Sequence, residues 1–287
     1  MTLFIKKVAV AVLIFALSIA SVFIIMTLTG ANITKLAGEV FYVINKAEKN
    51  SGCPVVYLGD SVCNQIWPQK EYNEKICYLS SNMAITTAGT YLLLKNYLEH
   101  NPQTKEAYYI IAPENLANDL NLNYTYTYFI IPFLDDNNIN LLTQETKDML
   151  DYKFGRFFVE NKFIKGILRN NNLFMKIYLS HVQRKTEKKY THRLSRTAII
   201  YLEKIRELCK KYDVKFLVRP IPTADIEKNY GWEDLQQDIN NYNLNDLFGD
   251  FMQRINYYPK DWYLDNMHFK PEILKQHRDE IRASIMP

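Results

Sequence analysis

The longest uniformly apolar segment of the chain runs from residue 8 to about residue 28 and contains no charged residue. A helix of that length can span a bilayer. Lys6 and Lys7 precede it, and positive charge on a short amino-terminal side keeps that side in the cytoplasm. The pattern predicts a single-pass anchor, with everything after about Gly30 extracytoplasmic. A cleaved signal peptide is the alternative, although its apolar region is normally shorter and no small-x-small cleavage site follows here.

Short apolar runs that end at polar or turn-forming residues predict four buried strands. These runs lie at 54–58, 76–80, 107–112 and 214–219. Helical apolar spacing covers 86–100 and about 194–212, and a further helix is expected after Ser61. Because strands and helices alternate, the pattern predicts an α/β fold with a parallel sheet covered on both faces.

A chain of 287 residues can build one sizeable core. We therefore predict a cytoplasmic tip and anchor at 1–30, a helix or stalk at 31–52 and one catalytic domain at 53–287. Regular alternation fails at about 120–191, where aromatic residues cluster at 124–129 and 154–158. This segment is predicted to be a mainly helical insertion. Its aromatic rings could stack on sugars, but packing onto the domain is their commoner use.

Charge and cysteine content exclude two classes of function. A net charge of +4 is mild and spread along the chain, so nucleic-acid binding has little support. The densest basic stretch, 184–196, suits a solvated helical face or contact with anionic headgroups or a wall polymer. No cysteine spacing fits a zinc site, so neither metal nor cofactor is expected. Cys53 and Cys77 precede neighbouring strands and either form a disulfide or serve as packing residues.

Candidate chemistry gathers where the predicted strands end. Ser61 follows the first strand, Ser81 and Asn82 follow the second, and Asn115 follows the third. Ligands bind beyond the carboxyl ends of strands in open parallel sheets. A serine becomes a nucleophile only when a base can take its proton.

The base is best sought among five histidines. His268 is distinguished because Asp265 lies three residues before it, so one loop can hold the carboxylate that orients the imidazole. The other four are expected at the surface: His100, His181, His192 and His277. Ordinary structural roles compete with this interpretation, since serine is a favoured helix cap and an Asp–His pair can be a simple loop hydrogen bond.

The two motifs together resemble the SGNH/GDSL hydrolases. The stretch Val55-Val56-Tyr57-Leu58-Gly59-Asp60-Ser61 is similar to their first block, and the Asp265–His268 stretch is similar to their terminal D-x-x-H block. The resemblance covers roughly 54–271, apart from the insertion. It implies a flavodoxin-like three-layer sandwich in which Ser61, His268 and Asp265 form the catalytic triad.

The middle blocks depart from the family pattern. The glycine block corresponds to Leu79-Ser80-Ser81-Asn82, which lacks glycine, and the asparagine block to Ala112-Pro113-Glu114-Asn115, with Asn118-Asp119 a less favoured register. The resemblance implies that oxyanion or substrate contacts come from the backbone at Ser61 and Val62 and from Ser81, Asn82 and Asn115.

The anchor and the Leu79–Asn82 stretch look most like the membrane-tethered, envelope polymer-modifying branch of that family. The resemblance implies an extracytoplasmic serine esterase or O-acyltransferase that acts on acyl, most simply acetyl, esters of envelope polysaccharide. A multi-spanning membrane acyltransferase is an expected partner. A lipid or small-ester hydrolase and a non-catalytic envelope assembly or glycan-binding protein are the alternatives.

Overall fold

The computed structural model describes residues 2–29, 37–169, 172–183, 192–265 and 267–286. The described residues leave out residue 30 of the predicted anchor, the first part of the predicted stalk at 31–36 and residues 184–191 of the basic stretch. Asn266, within the D-x-x-H stretch, also lies outside them.

Six strands and fourteen helices are assigned within the described ranges. The strands are β1 Val55–Gly59, β2 Ile76–Ser80, β3 Glu106–Ile111, β4 Lys215–Pro220, β5 Thr223–Ala224 and β6 Tyr257–Tyr258. The helices are α1 Thr2–Thr29, α2 Gly38–Ala47, α3 Ser61–Ile66, α4 Thr86–His100, α5 Ile131–Phe133, α6 Asp136–Ile139, α7 Gln144–Phe154, α8 Arg156–Glu160, α9 Lys162–Arg169, α10 Asn172–Gln183, α11 Arg196–Tyr212, α12 Glu233–Asn241, α13 Asn245–Phe248 and α14 Pro271–Ile285.

The first helix, α1, contains an exposed apolar stretch, Phe4–Val22, with a mean hydropathy of 2.1. It is long and apolar enough to cross a membrane. A signal sequence near an amino terminus has the same length and composition, so this helix fits both interpretations. The orientation of the chain across a membrane stays a prediction.

The centre of the protein is a parallel sheet in the order β2-β1-β3-β4. Val55 of β1 aligns with Ile76 of β2 on one side and with Glu106 of β3 on the other. The α/β class and the parallel sheet predicted from the alternating pattern are therefore confirmed. All four strands lie within one residue of their predicted bounds.

The sheet is covered by helices on both faces because its strands are apolar on both sides. In β1, Val56 and Leu58 join the larger core with α2, α4 and α11, whereas Tyr57 points to the opposite face. There Tyr57 joins a smaller core that includes Ile66 of α3 and Ile281 of α14. The period of two along a strand accounts for this division.

Helix α2 lies in the segment that the sequence pattern assigns to a helix or stalk, and it packs into the folded core. Its residues Val40, Val43 and Ala47 are fully buried in the larger core. Three apolar residues at this spacing form one face of a helix, and burying that face fixes α2 against the domain.

The described part of the predicted insertion is helical. It contains a π-helical turn at Tyr126–Ile130 and helices α5 to α10. Its aromatic residues largely pack on one another: the Tyr126 hydroxyl donates to the Phe158 carbonyl at 2.9 Å, and the rings of Phe158 and Tyr178 lie 4.6 Å apart. Packing is thus the main use of these two aromatic clusters.

All four cysteines are buried free thiols. Cys53 and Cys77 lie near one another at the start of the sheet, yet no disulfide joins them. The Cys53 thiol contacts the Ser51 carbonyl at 3.6 Å. Burial raises the pKa of Cys77 to about 11, which keeps this thiol protonated and unreactive at neutral pH.

Candidate active site

The turn after β1 places Ser61 at the start of α3. Gly59 ends the strand, and a Cβ at this position would collide with the Ile110 carbonyl of β3 and the Cys63 side chain. Only glycine therefore allows the chain to pass this closely. The Gly59 carbonyl also accepts a hydrogen bond of 2.8 Å from the Ser81 backbone N–H, which joins the loops after β1 and β2.

Ser61, His268 and Asp265 form one continuous row of hydrogen bonds. The Ser61 Oγ lies 2.8 Å from His268 Nε2, and His268 Nδ1 lies 2.9 Å from Asp265 Oδ2. The row requires the tautomer in which Nδ1–H donates to Asp265 and Nε2 accepts from the serine hydroxyl. Ser61 and His268 are separated by 207 residues in the chain, so only the fold brings them together.

The second oxygen of Asp265 holds the backbone of its own loop. Asp265 Oδ1 accepts hydrogen bonds from the backbone N–H groups of Met267, at 2.8 Å, and His268, at 2.7 Å. Partial burial opposes ionisation, but these bonds and the imidazole contact outweigh it, so the pKa of Asp265 is lowered. The carboxylate is therefore ionised and fixes both the position and the tautomer of His268.

Two further contacts fix the loop that carries His268 (the histidine loop). Tyr263 pairs with Phe269 across this loop, and the two rings stack with centroids 4.6 Å apart. Gln65, one helical turn after Ser61, accepts from the Phe269 N–H at 3.1 Å. The base is thus positioned from the same helix that carries the nucleophile.

Asp60 is a buried carboxylate that accepts four hydrogen bonds. Its Oδ1 accepts from the backbone N–H groups of Val62, at 3.0 Å, and Cys63, at 3.1 Å. Its Oδ2 accepts from the Ala112 N–H at 3.2 Å and the Asn115 amide at 2.6 Å. Burial raises the pKa of this carboxyl, while the four donors oppose the shift by stabilising the charged form.

Two asparagines in the loops after β2 and β3 have carboxyl groups as neighbours. Asn115 donates to Asp60 at 2.6 Å, and the amide of Asn82 lies near the Glu39 carboxyl of α2 and opposes the rise in the pKa of Glu39. Asn82 Oδ1 also accepts from the Ala84 N–H at 3.0 Å. Each amide nitrogen carries two N–H groups, so one donor on each remains for a ligand.

The remaining residues predicted to contact a ligand differ in whether they already have hydrogen-bond partners. The Val62 N–H is already bound by Asp60, whereas the Ser61 N–H has no acceptor among the described residues. The Ser81 hydroxyl is buried and has no hydrogen-bond partner in the part of the chain that the structure describes. Asn118, in the less favoured register, donates to Asn115 Oδ1 at 3.1 Å and so supports the preferred asparagine. The ligand contacts of all these residues stay predictions.

A buried carboxyl that the sequence analysis did not single out lies beside this site. Glu114 Oε1 accepts from the Thr223 hydroxyl at 2.8 Å, and Oε2 is buried with no partner among the residues described. Burial, with smaller contributions from Glu227 and Asp60, raises the pKa of Glu114 to about 7. Its position between Pro113 and Asn115, directly after β3, was the available signal.

The remaining histidines show why sequence spacing alone is ambiguous. His277 Nδ1 contacts Glu280 Oε2 at 2.9 Å, three residues along α14, which matches the spacing of the Asp265–His268 pair. No serine contact accompanies that pair among the described residues. Within those residues, no group of three or more His, Cys, Asp or Glu side chains is arranged to hold a metal.

Comparison with known proteins gives little further information. No family model matches the chain, and no curated protein matches it. A solved structure from Streptococcus pneumoniae, described as a candidate platelet activating factor, is similar over 93% of this chain and 98% of that chain, with 10% sequence identity and a TM-score of 0.34. A likeness at this level carries no argument about fold or function.

Proposed function

We propose that this protein is a serine esterase or O-acyltransferase that works through an acyl-enzyme on Ser61. The observation that carries the proposal is the unbroken hydrogen-bonded row from Ser61 Oγ through His268 to Asp265. Nucleophile, base and orienting acid at hydrogen-bond distance are the arrangement that activates a serine hydroxyl.

The mechanism proceeds in two steps. His268 Nε2 takes the Ser61 proton as Oγ attacks the ester carbonyl, and the resulting imidazolium returns that proton to the departing alcohol. Water or a sugar hydroxyl then gives its proton to His268 and attacks the acyl-serine, which releases an acid or a new ester and restores Ser61. Asp265 stabilises the imidazolium in both steps. This chemistry needs no metal or cofactor.

Three donors suit the negative oxygen that forms at the carbonyl. They are the Ser61 N–H, the Asn82 amide and the second N–H of the Asn115 amide. The Asn115 amide is held in advance by the buried Asp60 carboxylate. Donors fixed in this way stabilise the developing charge without reorganising during the reaction.

We further propose that the protein is a membrane-anchored member of the SGNH type. The order of its motifs and the strand order 2-1-3-4, which matches the start of the flavodoxin-like order, support this assignment. An amino-terminal span with the domain outside would place the site among envelope polysaccharides, so acyl esters of such glycans are the proposed substrates. A multi-spanning acyltransferase would then be a natural source of acyl groups.

The test is labelling of the full-length protein with a fluorophosphonate probe. Wild type is expected to be labelled at Ser61, and Ser61→Ala and His268→Ala are expected to abolish labelling. Asp265→Asn should slow it by about 1,000- to 10,000-fold because the imidazole loses its orienting carboxylate. Peptide mapping by mass spectrometry identifies the labelled residue.

The second histidine–carboxylate pair supplies matched controls. His277→Ala and Glu280→Gln disrupt a contact of the same length and spacing on α14. Both variants should be labelled at the wild-type rate. Absence of labelling in folded wild type, or labelling that persists in Ser61→Ala, would refute the proposed acyl-enzyme.

A further inference from the structure

A cleft of about 420 Å³ lies between α2 and the loop after α3. Its main side chains are Glu39, Tyr42, Asn64, Gln69 and Lys70. Such a volume lies at the small end of ligand-binding pockets. None of these residues belongs to the hydrogen-bonded row of Ser61, His268 and Asp265.

Two connections tie the cleft to the catalytic serine. Asn64 is three residues after Ser61 on α3, and residues at that spacing are neighbours on a helix surface. The Glu39 carboxyl lies near the amide of Asn82, one of the proposed oxyanion donors, because that amide opposes the rise in the pKa of Glu39. A ligand in the cleft would therefore lie next to both the nucleophile and an oxyanion donor.

Gln69 provides the evidence that the cleft is built for a ligand. This residue is 93% buried, and among the described residues its Oε1 has no hydrogen-bond partner. Its backbone is fixed, because its N–H donates to Asn64 Oδ1 at 3.0 Å and its carbonyl accepts from Lys46 Nζ at 2.7 Å. A buried acceptor without a donor is costly, so an unpartnered oxygen in a residue that lines the cleft favours a ligand that brings a donor.

The side chains around Gln69 favour an uncharged, hydroxyl-rich ligand. Tyr42 is about two-fifths exposed, so part of its ring is available to an apolar surface. Gln69 Oε1 and the Glu39 carboxyl accept hydrogen bonds, and burial raises the pKa of Glu39, which weakens any preference for a cation. Lys70 Nζ lies 6.0 Å from the Tyr42 ring centroid and can donate to a hydroxyl. An aromatic face with hydroxyl-binding groups at its edge matches a pyranose ring.

We propose that this cleft is a subsite for one neutral sugar unit of the substrate or acceptor glycan. The inference rests on the proposed acyl-transfer function and extends it by placing a sugar-binding subsite beside Ser61. Tyr42 stacks on the sugar ring, and Gln69 Oε1 accepts from one of its hydroxyls. Both are binding residues and take no part in the proton transfers.

The binding test uses full-length Ser61→Ala in a detergent without a sugar headgroup. Cellotetraose, xylotetraose, chitotetraose and maltotetraose are titrated and followed by ligand-observed NMR. Saturable binding of at least one is expected, and adding Tyr42→Ala should weaken it at least tenfold. Tyr152→Ala, which removes an exposed tyrosine on α7, is the matched control and should not change binding. Equal effects of the two tyrosine variants, or no binding at all, would overturn the proposal.

Gln69→Leu separates ligand binding from structural support. Leucine retains most of the volume but removes the unpartnered oxygen, so thermal stability should stay the same or increase while sugar affinity falls. A purely structural role predicts a loss of stability and no specific loss of affinity. That result would contradict the proposed contact.

A last measurement connects the cleft to the serine and keeps the two proposals distinguishable. In wild type, the bound tetrasaccharide should change the rate of fluorophosphonate labelling, and this effect should disappear in Tyr42→Ala. Sugar binding that leaves the labelling rate of Ser61 unchanged would overturn the proposed subsite but not the proposed acyl-enzyme. Sugar binding with no labelling under any condition would instead refute the acyl-enzyme.

Discussion

The carboxylate of Asp60 accepts a hydrogen bond of 2.6 Å from the Asn115 amide, and this buried contact joins the loops after β1 and β3. The strand order changes direction between these two strands, so the contact lies at the switch point where parallel sheets bind ligands. The residue before the proposed nucleophile therefore orients an amide from the neighbouring strand.

Asp60→Ala is expected to destabilise the protein strongly. The substitution leaves four donors without their acceptor in a buried region, and we expect a loss of roughly 3–5 kcal/mol in the free energy of unfolding. Urea denaturation measures this loss. Asp135→Ala is the matched control, because Asp135 caps α6 through two backbone N–H groups at an exposed position. Its loss should be only about 1 kcal/mol, and similar losses at both sites would contradict the role given to Asp60.

Asn82→Ala is expected to lower kcat more than it raises KM. If Asn82 donates to the oxyanion, its loss should reduce kcat by about 100- to 1,000-fold. Steady-state hydrolysis of p-nitrophenyl acetate by the full-length protein gives both constants.

Asn73→Ala is the control for a purely structural role of Asn82, because Asn73 supports a different turn in a similar way. Asn73 Oδ1 accepts from two backbone N–H groups at an exposed position before β2, much as Asn82 Oδ1 accepts from Ala84. Its removal should leave kcat unchanged. A kcat in Asn82→Ala within threefold of wild type would exclude this residue as an oxyanion donor.

Cys53 and Cys77 are expected to be reduced and unreactive in the folded protein. Intact mass measured without reductant should correspond to four thiols, and iodoacetamide should modify Cys77 slowly until a denaturant is added. Raised thiol pKa and burial both reduce the thiolate that reacts. A mass lower by about two hydrogens, together with a disulfide-linked peptide that contains Cys53 and Cys77, would show that these two residues are paired after all.

The sheet could be predicted from sequence because each strand is an apolar run that ends at a turn-forming residue. The bounds of β2 and α4 agree with the pattern to the residue. The pairing of Ser61 with His268 was a hypothesis from motif order, and its atoms meet only because α3 and the histidine loop are packed together. Gln65 makes that packing specific, and nothing in its local sequence distinguishes it.

Other parts of the site depend on long-range burial and were not predictable. The pattern at 32–50 indicates a helix or stalk, but whether its apolar face is covered depends on the sheet and α4. Glu114 looks like an ordinary loop glutamate in the sequence. Its raised pKa follows from burial in the folded protein, where its hydrogen-bond partner Thr223 is more than a hundred residues away in the chain.

Glu114 should make stability decrease as pH rises. Its pKa is about 7 in the folded protein against a usual value of 4.5, so between these values the folded state keeps a proton that the unfolded state has lost. The free energy of unfolding therefore falls through this window and levels off above it, by about 3 kcal/mol at most. Glu114→Gln removes the titration. Its stability relative to wild type should thus increase from pH 4.5 to pH 8, as measured by urea denaturation across that range. Glu272→Gln changes an exposed residue in the first turn of α14. A plot of its free energy of unfolding against pH should run parallel to that of wild type. A Glu114→Gln curve that also runs parallel would show that this carboxyl titrates at an ordinary pH.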